Sequence, residues 1–158
     1  MKKFIGLELV NETSEILPDY RDIQHFINQH HLDYYQFGII VNNSGEEQQL
    51  ENLLKENNVF EAGFTLYLLE NPDPKNTFID FGFTSKEKKY YLYEELVIPF
   101  TTSGYNEKDI QAALEQMDEH LIATDTGLDK TLHFVERYHQ ELIEGIADAY
   151  KIIVTFYP

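Results

Sequence analysis

Thr77-Phe-Ile-Asp-Phe-Gly-Phe-Thr84, then Ser85-Lys-Glu-Lys88, then Lys89-Tyr-Tyr-Leu-Tyr-Glu-Glu-Leu-Val97 sets two aromatic-rich arms on either side of a charged turn. On the first arm Ile79, Phe81 and Phe83 alternate with Phe78 and Asp80. On the second, Tyr91 and Tyr93 alternate with Tyr90, Leu92 and Glu94. A period of two in aromatic residues, broken by a charged turn, predicts an antiparallel hairpin. Both faces are apolar enough to be covered on each side. An antiparallel pair in mid-chain excludes a purely parallel α/β sheet.

Toward the N-terminus, Ile5, Leu7 and Leu9 share one face of a strand over Phe4–Val10. Ile16, Tyr20, Ile23 and Ile27 then fall at helical spacing, and the helix runs from Pro18-Asp19 to about His31. Tyr34–Val41 is β-branched and aromatic, hence a second strand. Ser44 followed by Glu47 reads as a capping box for a helix over residues 44–58, with Leu50, Leu53 and Leu54 on its buried edge. Phe60–Leu69 reads as a strand, and Pro72 and Pro74 make the next segment a loop.

Toward the C-terminus, Asn106 caps a helix whose stripe is Ile110, Ala113, Leu114, Met117 and Leu121. Thr126 is expected to cap a second, long helix through Ala149, with Leu128, Leu132, Val135, Leu142 and Ile146 inside. Lys151–Tyr157 reads as a last strand. The expected architecture is α+β. One domain spans residues 1–158, with a mixed sheet of about six strands in the order β-α-β-α-β-β-β-α-α-β and about four helices.

With 28 Asp and Glu against 12 Lys and Arg, the net charge is −16. A chain that neutralises phosphates needs a basic stripe, so direct nucleic-acid binding is not expected. The basic cluster of Lys86, Lys88 and Lys89 falls in the hairpin turn and reads as a solvated turn. No cysteine is present, which removes disulfides, thiolate metal sites and a cysteine nucleophile. Glu8 interrupts the apolar run after the basic N-terminus, so a secretory signal is not expected, and no apolar stretch approaches the ~18 residues of a membrane span. The expected location is the cytoplasm.

His139 is the sharpest single residue. In the expected long helix it occupies a core slot, with Glu136 one turn earlier, and could serve as a general base. A helical metal site needs a second Glu-x-x-His, which is absent, so no metal or other cofactor is expected. His30 extends the apolar stripe from Ile27, and His31 sits at the helix end, where an imidazolium complements the dipole. Asp125-Thr126-Gly127 matches the aspartic-protease triplet, but that chemistry needs two opposed copies. Neither a phosphate-binding glycine loop nor a Gly-x-Ser-x-Gly elbow occurs. Nothing here spells a catalytic motif.

The acid is unevenly spread. Residues 105–148 hold eleven Asp and Glu against three Lys and Arg, a balance of −8. Glu115, Asp118 and Glu119 lie opposite the apolar stripe of the first helix there, and Glu46, Glu47 and Glu51 lie on the helix of residues 44–58. These six are the candidate docking residues for a basic partner protein. The leading expectation is a non-enzymatic interaction protein, an inhibitor or immunity-type module. One alternative is a small enzyme or ligand-binding domain with an aromatic-lined pocket around His139, including Asp80 or Glu94. The other is a phage or secretion assembly component that pairs through an open sheet edge.

Overall fold

The computed structural model describes all of residues 1–158. In chain order the elements are β1 (Lys2–Leu9), α1 (Thr13–Ile16), α2 (Arg21–His30), β2 (Asp33–Tyr35), β3 (Gly38–Val41), α3 (Ser44–Glu56), β4 (Phe60–Leu69) and β5 (Pro72–Pro74). They continue as α4 (Phe78–Phe81), β6 (Gly82–Thr84), β7 (Tyr90–Tyr93), β8 (Val97–Ser103) and α5 (Glu107–Met117). Last come β9 (Leu121–Thr126), β10 (Thr131–Glu136), α6 (Gln140–Tyr150) and β11 (Ile153–Phe156).

The fold class is α+β, with two sheets, β2-β3-β1-β4-β7-β6 and β11-β8-β10-β9-β5. β1 runs antiparallel to β3 and β4, β2 to β3, β4 to β7, β8 to β10 and β11, and β9 to β10 and β5, so the expected single mixed sheet is instead two antiparallel ones. The reason lies in the crossovers. Helix α3 carries the chain from β3 to β4, which flank β1; α5 carries it from β8 to β9, which flank β10; α6 carries it from β10 to β11, which flank β8. Each helix therefore skips one strand, and the parallel partners it joins never touch. The chain divides into two compact units, one of residues 1–69 and 83–94, the other of residues 70–82 and 95–158.

In the first unit Ile23 and Ile27 of α2 and Leu50 and Leu54 of α3 pack on Leu7, Leu9, Ile39 and Val41 of the sheet. Each such side chain contributes about 1.5–3 kcal/mol when fully buried. The cap of α3 is one residue earlier than expected: Asn43, not Ser44, accepts the Glu46 N–H at 2.8 Å. The strand expected over residues 34–41 is split by a tight turn into the β2–β3 hairpin. Of the central hairpin, β6 and β7 form as expected, but residues 78–81 wind into α4 instead of extending the first arm.

This sheet curls until its outer strands meet. Just past β6, the Lys86 N–H donates to Tyr34 O at 2.9 Å. The Asp33 carboxylate accepts from Ser85 Oγ and, at 3.2 Å, from the Glu87 N–H. Tyr35 and Phe83 stack with centroids 3.7 Å apart. Gly38 makes room for this: a Cβ there would lie 2.6 Å from Leu7 O and 2.9 Å from the Tyr35 hydroxyl. The Tyr35 and Tyr93 hydroxyls both donate to Glu8 Oε1, at 3.0 and 2.9 Å. Burial foremost, then the neighbouring Tyr93 and Glu8 charges, pushes the Tyr35 hydroxyl well above its ordinary pKa, so it remains a donor.

In the second unit β8-α5-β9-β10-α6-β11 makes a sheet in the order β11-β8-β10-β9, the split β-α-β arrangement, with β5 added beyond β9. Ala113 and Met117 of α5 and Ile143, Ile146 and Ala147 of α6 pack on Ile98, Phe100 and Val135, so both helices cover the same sheet face. Two expectations are corrected here. The long helix over residues 126–149 is instead the end of β9, a hairpin turn, β10, a single 3-10 turn and α6. Thr126 pairs with Thr131 across that hairpin and caps nothing. The loop at residues 71–74 contains β5, where Pro72 and Pro74 are tolerated because the strand is at the sheet edge and prolines two apart turn their nitrogens the same way.

Candidate functional site

The acidic surface is built by two helices. Glu107, Asp109 and Glu115 lie on α5, Asp118 and Glu119 in the 3-10 turn that continues it, and Glu141, Glu144 and Asp148 on α6. All but the half-buried Asp109 are exposed. Lys108 is the single lysine or arginine on these elements, so eight carboxylates less one ammonium leave −7. The apolar sides of α5 and α6 face the sheet, which turns the charged sides outward. Tyr138, 91% exposed, and the exposed Leu142 stand at the start of α6.

The other expected docking residues lie in the other unit and are partly engaged. Glu46 Oε1 is 3.5 Å from His30 Nδ1, and Glu46 Oε2 is enclosed without a hydrogen-bond partner. Glu51 pairs with Lys55 one turn on, at 2.5 Å. Glu47 lies in the first turn of α3, where its charge suits the helix dipole.

His139 is not in a helix core. It is the last residue of the 3-10 turn before α6, about two-fifths exposed, with Nε2 4.0 Å from Glu136 Oε2. The pair is brought together, but by the end of β10 and its turn. The imidazole of His120, which leads into β9, is 5.5 Å from that of His139, and His120 Nε2 is 3.3 Å from Glu119 Oε1. Nδ1 of His139 is enclosed without a partner. No group of three or more His, Asp or Glu is arranged to hold a metal ion. Glu94 is engaged by Lys3 and by the Tyr67 hydroxyl. Burial pushes its carboxyl up, and those hydrogen bonds outweigh this to hold it below the usual range.

Sequence reasoning missed His133. It lies on β10 beside Phe100 and opposite Thr124 of β9, only 7% exposed. With Val135 two residues on, it faces the helix side of the sheet. Gln111, Leu114, Glu115 and Asp118 form one stripe at three-to-four spacing and line, with Leu121, Thr124 and His133, an open cavity of about 280 Å³. His133 Nδ1 is 3.2 Å from Thr124 Oγ1, its one hydrogen-bond partner in the chain. Burial foremost, and then the charge of Lys75, hold the imidazole below its ordinary pKa. Lys75 is itself bound by Asp118 at 3.0 Å and Asp73 at 3.1 Å. The signal that could have found this site is Leu132-His-Phe-Val135, whose β-branched and aromatic character fits a strand.

Asp125 of the Asp-Thr-Gly triplet is structural, accepting the Asn71 N–H at 2.7 Å and the Glu70 N–H at 3.2 Å. In the basic turn the Lys86 ammonium bonds the Tyr34 hydroxyl and lies over its ring, and Lys89 pairs with Glu87. No helix is long and apolar enough to cross a membrane. No family model matches the chain, and no curated protein or solved structure matches it significantly.

Proposed function

We propose that this chain is a protein-binding module that docks a basic partner protein on the outward face of α5 and α6, in the manner of an inhibitor or immunity-type module. One observation carries the reading. Two helices on the same sheet face concentrate −7 of the chain's −16 within 25 residues, 107–120 and 140–150. Such a field accelerates encounter with a cationic surface and rejects anionic ones. Tyr138 adds a large amphipathic contact beside that charge, the kind of side chain that anchors interfaces.

The test is association with basic proteins encoded beside this gene, measured at low and high salt. A complex is expected whose association rate falls as salt rises. It should weaken further when Glu115, Asp118, Glu119, Glu141 and Glu144 are made their amides. A complex indifferent to both salt and these substitutions sinks the reading.

The neighbouring Glu136, His139 and His120 support a second reading, acid–base chemistry at the start of α6. An activity found in a substrate screen must then be lost in His139→Asn, with folding unchanged. Equal activity in that variant ends this alternative.

A further inference from the structure

We propose that the cavity under α5 is a socket for a single arginine side chain of the basic partner, with His133 at its floor. The inference rests on the docking reading above and adds which residue of the partner is recognised, and where.

The graded exposure of the lining gives the cavity a direction. Gln111, Glu115 and Asp118 are exposed and stand at the mouth, while His133 is nine-tenths buried and stands at the bottom. At about 280 Å³ the space falls just short of the roughly 300–1,000 Å³ typical of small-molecule pockets. That size suits one side chain of an incoming protein. Leu114 and Leu121 offer an apolar wall for the methylene stem.

The polar groups suit a guanidinium better than an ammonium. Gln111, Glu115, Thr124 and His133 all line the cavity, and each side chain has an atom able to accept a hydrogen bond, the imidazole through its unprotonated nitrogen. A planar fork with five donors meets separated acceptors, whereas an ammonium concentrates three donors at one point. His133 Nε2 has no partner in the chain, and the Thr124 hydroxyl accepts from Nδ1–H in the tautomer that leaves Nε2 with its lone pair free. Lys75 would oppose a second cation, but Asp73 and Asp118 already bind it, so the Glu115 charge remains for the ligand.

The experiment uses the full chain, labelled with ¹⁵N, and two peptides of equal length and charge, one carrying arginines and the other lysines. Imidazole and backbone signals are followed together. The arginine peptide is expected to bind several-fold more tightly, and the His133 ring nitrogens should shift along the same saturation curve as the α5 and α6 amides. Glu115→Gln, an exposed change that leaves the core intact, should weaken the arginine peptide by up to about fivefold and reduce the preference. Titration of the α5 and α6 amides with His133 unmoved overturns the socket and leaves the docking face standing. Equal affinity for the two peptides overturns the assignment to arginine. Failure of both peptides to perturb α5 or α6 overturns socket and docking face together.

Discussion

Asp33 is where the curl of the first sheet can be tested most sharply. Its carboxylate is 8% exposed and accepts three hydrogen bonds, from Tyr34 N–H at 2.8 Å, from Ser85 Oγ and from Glu87 N–H at 3.2 Å. The first is local, and the other two join the opposite edges of the sheet. A hydrogen bond to a charged acceptor contributes roughly 1.5–3 kcal/mol. Asp33→Ala removes two cross-edge bonds and leaves the buried Ser85 hydroxyl short of an acceptor, so a loss of about 3 kcal/mol is expected. Asp33→Asn keeps an acceptor oxygen without the charge, and about half that loss is expected. Ser85→Ala removes one of the same bonds, so the double variant should lose about 1 kcal/mol less than the sum of the singles. Urea unfolding followed by circular dichroism measures the parent and all four variants, and amide exchange at Lys86 reports the edge directly. Strict additivity in the cycle, or an Asp33→Ala protein within about 0.5 kcal/mol of the parent, would refute this account of the closure.

Three further outcomes are expected. The His133 pKa is lowered in the folded state, so its contribution is fully present above the unfolded value of about 6.5. It is lost as pH falls from there through the folded pKa, with a slope of at most about 1.4 kcal/mol per pH unit. His133→Gln should flatten that part of the stability–pH curve, and an unchanged slope would contradict the burial argument. Gly38→Ala should cost about 1–3 kcal/mol in urea unfolding, because a Cβ 2.6 Å from Leu7 O forces β3 away from β1 or displaces the Tyr35 ring. Converting Glu115, Glu119 and Glu144 to glutamine should raise the melting temperature at low salt and change it little at high salt, since it relieves self-repulsion on a predominantly acidic face.

In the N-terminal half β1 and α2 were readable because their patterns are unambiguous. Leu7 and Leu9 alternate on β1, and Ile23 and Ile27 repeat on α2, each facing a single core. The C-terminal half misled because β10 is buried on both faces. Leu132, His133, Phe134 and Val135 are all nearly inaccessible, so the strand reads as a continuous apolar run, which periodicity cannot distinguish from a helix. Leu128 completed the false stripe, yet it is fully exposed, in the hairpin turn where Gly127 N–H donates to Lys130 O at 3.0 Å. Gly127 and Asp129 carried the turn signal, and reading Thr126 as a cap hid it. The same error displaced the site. His139 was expected in a core and lies in an exposed turn, while His133, expected on a helix, is the buried one. The acidity of α5 needed no tertiary information, but its union with α6 on one sheet face did.

The chain passes between its two units at residues 69–70, 82–83 and 94–95, and this interleaving sets an order of events during synthesis. The first unit has all its strands once residue 94 has left the ribosome, because β7 and the Ser85–Lys89 turn are its last pieces. Residues 70–82 have emerged by then, but their partner β9 has not. The second unit must wait longer still, since β8 is an inner strand whose neighbour β11 ends at Phe156. At about 5–20 residues per second, the 62 residues between Glu94 and Phe156 take several seconds to appear. For that interval the nascent chain carries a completed first unit with a tethered, unpaired β5, and β5 holds two prolines, residues that cannot donate to a stray strand from another chain.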